Sequence, residues 1–302
     1  MLPSSAVPAN NCSTPPTVPL LAQTLLLCPP LEPVLYQAVC CWETYAGGAY
    51  KPSTVTKQVA LSGRQLAEGD VELDFRSCTP ALTKPTDQES LETLALRLAV
   101  LYQQVIVRAA PTGAFLELLN HAALRQTWAQ LAQELQEATT ADDQLTATLI
   151  QFMSQQLQSP VRVLHSLRYD YLYAALVPNL FALPMDCASP TARTREFAQF
   201  FDKQALFFAE QVQVLEPAAE ATVTVACRGT VDAQRTDVAA IGRLMAQAVS
   251  QPADAVVVPH FHYAATHVLD VATGLPQRVD LTVYGRLAAH YNKQYTLTLT
   301  RA

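Results

Sequence analysis

Glycine is thin in this chain. Nine glycines are scattered through 302 residues, and neither a P-loop nor a G-x-G-x-x-G run occurs, so the usual backbone cradle for nucleotide phosphates is missing. Gly47-Gly48 is a turn dipeptide with no Lys-Ser/Thr behind it. No G-x-S-x-G elbow presents a serine nucleophile, and no cysteine stands beside a histidine or in a basic setting that would lower its pKa. C-x-x-C is absent too, which removes the common zinc and thioredoxin-like arrangements. Charge is scarce: 15% of residues are charged and the net charge is -6. With no basic surplus to displace phosphate counterions, nucleic acid is not an expected partner, and no polybasic segment seeks an anionic membrane. No cofactor is called for.

What is present is apolar and patterned. Half of the residues are hydrophobic, enough for a substantial core and the opposite of a disordered composition. The seven cysteines (Cys12, Cys28, Cys40, Cys41, Cys78, Cys187 and Cys227) are odd in number and irregular in spacing, which is not a disulfide framework. Reduced, mostly buried thiols in a cytoplasmic protein are the simplest account. Residues 1–16, rich in Pro, Ser, Asn and Thr, read as a flexible arm. The apolar run 18–28 superficially resembles a signal peptide ending at Cys28. Against that, no Lys or Arg precedes it, Pro19 interrupts it, and Leu27 stands where a small residue is required. It is also too short to span a bilayer. Export is the alternative if this run is processed.

The clearest pattern lies at the C-terminal end. Phe261, Tyr263, His267 and Leu269 alternate with His262, Ala264, Thr266 and Asp270. Thr273-Gly274-Leu275-Pro276 is turn-like, Val279, Leu281 and Val283 resume the alternation, and Tyr295–Thr300 repeats it. Period-two patterning in three successive runs predicts an antiparallel meander with one buried face. Further strands are predicted over 34–45, 55–61, 71–75, 206–215 and 221–227, with breaks at Ser62-Gly63 and Glu68-Gly69-Asp70 and a short strand over 114–118. Residues 91–109 fit helix at their start and strand at their end.

The middle of the chain predicts helices. Asn120 is placed to cap a helix whose stripe is Leu124, Trp128, Leu131 and Leu135. Thr140 with Asp143 suggests a capping box before a stripe of Leu145, Leu149, Phe152 or Met153, and Leu157. Ser159-Pro160 opens a third helix, carried by Leu164, Leu167, Tyr171 and Ala175 and ended by Pro178. Ser189-Pro190 suggests another through Phe197, Phe200 and Phe201, and Asp237–Val249 one more.

The order strands, helices, strands predicts an α+β fold: a curved, mainly antiparallel sheet with strands from 34–118 and 206–300, covered by the helical segment 120–178. On this reading residues 17–302 form a single domain. The alternative is two small β-rich domains joined by a helical region.

Candidate chemistry is sparse. His260 and His262 share a strand face and are the candidate metal ligands, yet the same alternation sends His267 to the opposite face, and a closed site needs four ligands. Tyr169, Tyr171, Tyr173 and Trp128 are the candidates for contacting a ligand. Asp170 lies among the tyrosines with Arg168 beside it, but an unbroken helix turns about 100° per residue, so Tyr169, Asp170 and Tyr171 would not face one pocket. The expected function is therefore non-catalytic binding or assembly, engaging a partner protein or an apolar ligand through the sheet and helix surface, with self-association a further option. A metal-dependent enzyme using His260 and His262, and an exported carrier of half-barrel type, are the alternatives.

Overall fold

In a computed structural model, the described residues are 24–78, 81–82, 97–138, 144–181, 190–201, 204–216, 221–250 and 258–302. The arm over 1–16, the Thr140 and Asp143 pair, Cys12 and Cys187 lie outside them. Twelve antiparallel strands form one open sheet. In chain order they are β1 (Val34–Ala46), β2 (Ala49–Gln65), β3 (Val71–Ser77), β4 (Ala81–Leu82), β5 (Gln104–Ala109), β6 (Phe115–Leu118), β7 (Thr191–Phe201), β8 (Gln204–Glu216), β9 (Thr222–Val231), β10 (His260–Asp270), β11 (Pro276–Leu287) and β12 (Tyr291–Arg301). Across the sheet they run β6-β5-β3-β2-β1-β12-β11-β10-β9-β8-β7, with β4 pairing β2 off this path. The described α-helices between and after the strands are α1 (His121–Ala138), α2 (Gln144–Leu157), α3 (Pro160–Tyr169), α4 (Tyr171–Leu176) and α5 (Val238–Ala248), and residues 97–101 are also helical.

The meander forms where alternation predicts it, and β1 pairs with the whole of β12, from Tyr36↔Arg301 to Ala46↔Tyr291. That ladder joins the N-terminal and C-terminal strands into one sheet, where the two-domain alternative put two. Gly47 and Gly48 both have positive φ, 56° and 91°, and close the two-residue β1–β2 hairpin; a tight turn of this twist favours residues free of a Cβ. On one face of the central strands lie Tyr36, Ala38, Val279, Leu281, Val283, Tyr295, Leu297 and Leu299, all buried. Their neighbours Thr296, Thr298 and Thr282 face the other side and are half-buried. Leu25 and Leu27, from the run that resembles a signal peptide, belong to the same core.

Two sequence expectations fail instructively. Ser62-Gly63 does not break the second strand, because β2 runs through it. A Cβ on Gly63 would collide with the Glu72 carbonyl on β3 and with the Pro29 ring, so glycine marks a close backbone approach there. Residues 191–201 form strand β7, not a helix. Thr191, Arg193, Arg195 and Phe197 alternate with Ala192, Thr194 and Glu196, and they pair in register with Val212 through Leu206 of β8. The aromatic spacing Phe197, Phe200, Phe201 imitates a helix because the strand carries a register shift between Phe197 and Phe201.

The helices follow their stripes with adjustments. Leu124, Trp128, Leu131 and Leu135 of α1 are all buried. On α2, Met153, Leu157 and Thr146 are buried, while Leu145 and Phe152 are exposed. Asn120 precedes α1, but its side chain does not cap it. Its Oδ1 accepts from Ile106 N at 3.0 Å and its Nδ2 donates to Gln104 O at 2.9 Å, tying the helix entrance to β5.

Candidate functional site

The third predicted helix breaks at one residue. Asp170 has extended backbone angles, φ −70° and ψ 128°, ending α3 and starting α4. Its Oδ1 accepts from Leu172 N at 2.9 Å and Tyr173 N at 3.2 Å, the bonds by which an Asp N-cap satisfies the free donors of a first turn. The break changes what neighbouring side chains can reach. Tyr169, Asp170 and Tyr171, which an unbroken helix would splay apart, all line one cleft of about 610 Å³. This corrects the sequence-based geometry.

The other walls come from strands far apart in sequence. Trp42 and Tyr295 are a direct cross-strand pair of β1 and β12, with ring centroids 4.5 Å apart. Tyr171 from α4 packs against both, at 5.8 Å from Trp42 and 4.7 Å from Tyr295. Cys40, Val55, Lys57 and His165 are among the other lining residues. The cleft is thus an aromatic corner with an amine, Lys57, and a carboxyl, Asp170, in it.

Burial decides the electrostatics. It pushes the Cys40 thiol up to about 11, so this cysteine is a neutral thiol and not a nucleophile at neutral pH. Burial also raises the Asp170 carboxyl, opposed by the Tyr173 N–H, the Lys57 charge and the Leu172 N–H. It lowers Lys57, opposed by Asp170 and Cys40. Lys57 and Asp170 feel each other's charge, yet they form no ion pair within 4.0 Å. Asp170 lies in the cleft with its surface still reaching solvent, and Lys57 is half-buried.

The remaining candidates separate. Tyr173 is buried edge-on to Phe75 at 5.0 Å and lines a second, neighbouring cleft. Trp128 lines neither cleft; it is 5% exposed and its Nε1 donates to Ser154 Oγ at 3.0 Å, joining α1 to α2. His260 and His262 point away from the core and flank the Tyr284 ring, at 5.9 Å and 5.0 Å. Among the described residues no three of His, Cys, Asp and Glu converge on a metal position. His267, on the opposite face as alternation predicts, is 4% exposed. Burial, then Arg193 and Arg195, hold its pKa down to about 3, so it is a neutral core imidazole.

The polar group around His267 is missing from the sequence reading. Glu210 on β8, 1% exposed, accepts from Tyr263 Oη at 2.6 Å and from Arg193 Nε, and Arg193 donates onward to the Asn179 carbonyl. Burial alone would raise the Glu210 carboxyl, but the Arg193 charge and bond outweigh it and hold the pKa below the usual range. The signal was Arg193, Glu210 and Tyr263 each at an inward position of an alternating strand. Among the described residues no helix is long and apolar enough to cross a membrane. Compared with known protein families and with curated proteins, the chain matches none.

Proposed function

We propose that this protein acts by binding, and that the cleft at the Asp170 break receives a flat, mainly apolar ligand with one polar end. The observation that carries this reading is the break itself, which turns Tyr169, Asp170 and Tyr171 toward Trp42, Lys57 and Tyr295. An aromatic corner with a few convergent polar groups is the ordinary composition of a small-molecule site. Stacking on Trp42, Tyr171 and Tyr295 supplies the affinity and Lys57 with Asp170 orients the polar end. The neutral thiol of Cys40 favours binding over covalent catalysis.

The architecture supports this reading. Strands β6 and β7 stand at opposite ends of the sheet order, yet Phe115 of β6 and Thr194 of β7 line the same cleft with Arg168 of α3. A sheet whose two edges meet at one helix is curled, with α3 and α4 in its concavity, which fits residues 17–302 acting as a single domain. The Asp170 cleft then opens at the seam between that inner helical layer and the sheet.

The test uses the two tryptophans. In a Trp128→Phe background, Trp42 is the sole reporter, and the neutral probe Nile red is titrated against its fluorescence. The expected result is saturable quenching, weakened roughly threefold to tenfold by Tyr171→Ala. Absence of quenching, or an affinity that Tyr171→Ala leaves unchanged in a folded protein, overturns the assignment.

A further inference from the structure

The neighbouring cleft, about 350 Å³, has a different character. It lies between the two edge strands and is lined by three guanidinium-bearing residues, Arg168, Arg195 and Arg235, with Tyr169, Thr194 and Asn179 among the other walls. None of these arginines forms an ion pair within 4.0 Å. Arg168 donates from Nε at 3.1 Å and from a terminal nitrogen at 2.5 Å to the Phe115 carbonyl, a neutral partner. Arg235 lies over the Phe207 ring at 4.4 Å. Arg195 lies 5.4 Å from the Phe197 ring centroid, and its Nε is buried without a hydrogen-bond partner.

The negative charges nearby do not balance them. Glu210 feels Arg195 but is bonded to Arg193 and Tyr263. Glu196, the one carboxylate in the lining, sits against Tyr169, whose hydroxyl is raised by burial and then by the Glu196 charge. Counting the four arginines 168, 193, 195 and 235 against the two glutamates leaves a surplus of two positive charges, in a chain whose net charge is -6. Arg168 and Arg235 are exposed and Arg195 half-buried, and like charges gathered in one cleft repel each other until an anion enters. Planar guanidinium groups with free donors match the paired oxygens of phosphate and carboxylate.

We propose that this cleft is a binding site for the oxyanion group, phosphate or carboxylate, of a small ligand. Arg195 and Arg235 grip the anion, and Arg168, held in place by Phe115 O, adds its charge. The site does not depend on the apolar cleft, with which it shares Tyr169 alone.

The test is calorimetric titration of the full chain with inorganic phosphate and, separately, with benzoate, at low and high salt. Saturable binding of at least one is expected, weaker at high salt. Arg235→Gln and Arg195→Gln should each reduce the affinity about tenfold or more. Arg235 is exposed, so its variant should keep the wild-type melting temperature and remain interpretable if Arg195→Gln misfolds. Binding of phosphate but not benzoate assigns the site to phosphate, and the reverse assigns it to carboxylate. No saturable binding of either anion, or an affinity that Arg235→Gln leaves unchanged, overturns the proposal. So does loss of binding in Lys57→Met, which would place the anion in the other cleft. Nile red quenching of Trp42 is read in parallel, so failure of the anion site and failure of the apolar site are separable.

Discussion

Two polar groups in this fold, one buried around Glu210 and one around the exposed Asp170, leave the same kinds of residue in opposite states. Around Glu210, on strands β7 to β10, both carboxylate oxygens are engaged, one by Tyr263 at 2.6 Å and one by Arg193, whose own second donor goes to Asn179 O. Around Asp170, between α3 and α4, Oδ1 satisfies two backbone N–H groups, but Lys57 stands near without an ion pair. The first group is closed on itself and contributes to one well-defined packing of the sheet. The second is open toward a cleft. A buried carboxylate with both oxygens bonded holds one packing in place, whereas the Asp170 carboxylate keeps an oxygen free of protein partners, which is what the proposed binding role uses.

The largest expected effect breaks the closed group. Glu210→Ala removes the partner of Arg193, whose side chain is 19% exposed, and leaves the Tyr263 hydroxyl unbonded. Loss of one member of such a pair costs about 3–5 kcal/mol. Urea unfolding at neutral pH measures it, and a loss below about 1 kcal/mol would place the Glu210 group no higher than a surface ion pair.

Next in size is the acid response of the same group. His267 binds its proton near pH 6.5 when unfolded but near 3 when folded. Its contribution to stability is therefore present above pH 6.5 and lost as the pH falls toward 3, with a slope of up to about 1.4 kcal/mol per pH unit. Glu210, held below its usual value, adds a loss of the same sign at the acid end. His267→Gln should flatten the decline of unfolding free energy between pH 6.5 and 5. A decline as steep as wild type would mean that another group carries the acid sensitivity.

Legibility in the sequence follows the same division. Alternation exposes the strands wherever the inward residues are apolar, so the meander, β1 and the opposed faces of His262 and His267 are readable. It fails at β7, where the inward positions hold Arg193 and Arg195 and hide the period of two. The Glu210 group went unread for that reason, since Arg193 and Glu210 look like outward residues until β7, β8 and β10 are in register. In the cleft, Tyr169 and Tyr171 are readable as candidates, but Trp42 with Tyr295 requires the β1–β12 pairing. The break at Asp170 was written locally: a capping residue inside an apolar helix signals a new helix start.

The smallest effects fall on the open group, and they have the opposite sign with acid. Burial raises the Asp170 carboxyl above its unfolded value, so its favourable contribution is present at low pH and lost as the pH rises through the folded pKa. The cap bonds from Leu172 N and Tyr173 N, together with the Lys57 charge, work against that rise. Asp170→Asn keeps an acceptor among the best capping residues and removes the charge, so unfolding free energy at neutral pH should stay within about 1 kcal/mol of wild type or rise. Asp170→Ala, which loses the cap, should cost about 1 kcal/mol. The pair of variants sharpens the comparison with Glu210→Ala. If Asp170→Asn proved as damaging as that substitution, the Asp170 charge would be a structural partner of Lys57, and the cleft would lose the unspent polar groups on which its ligand reading rests.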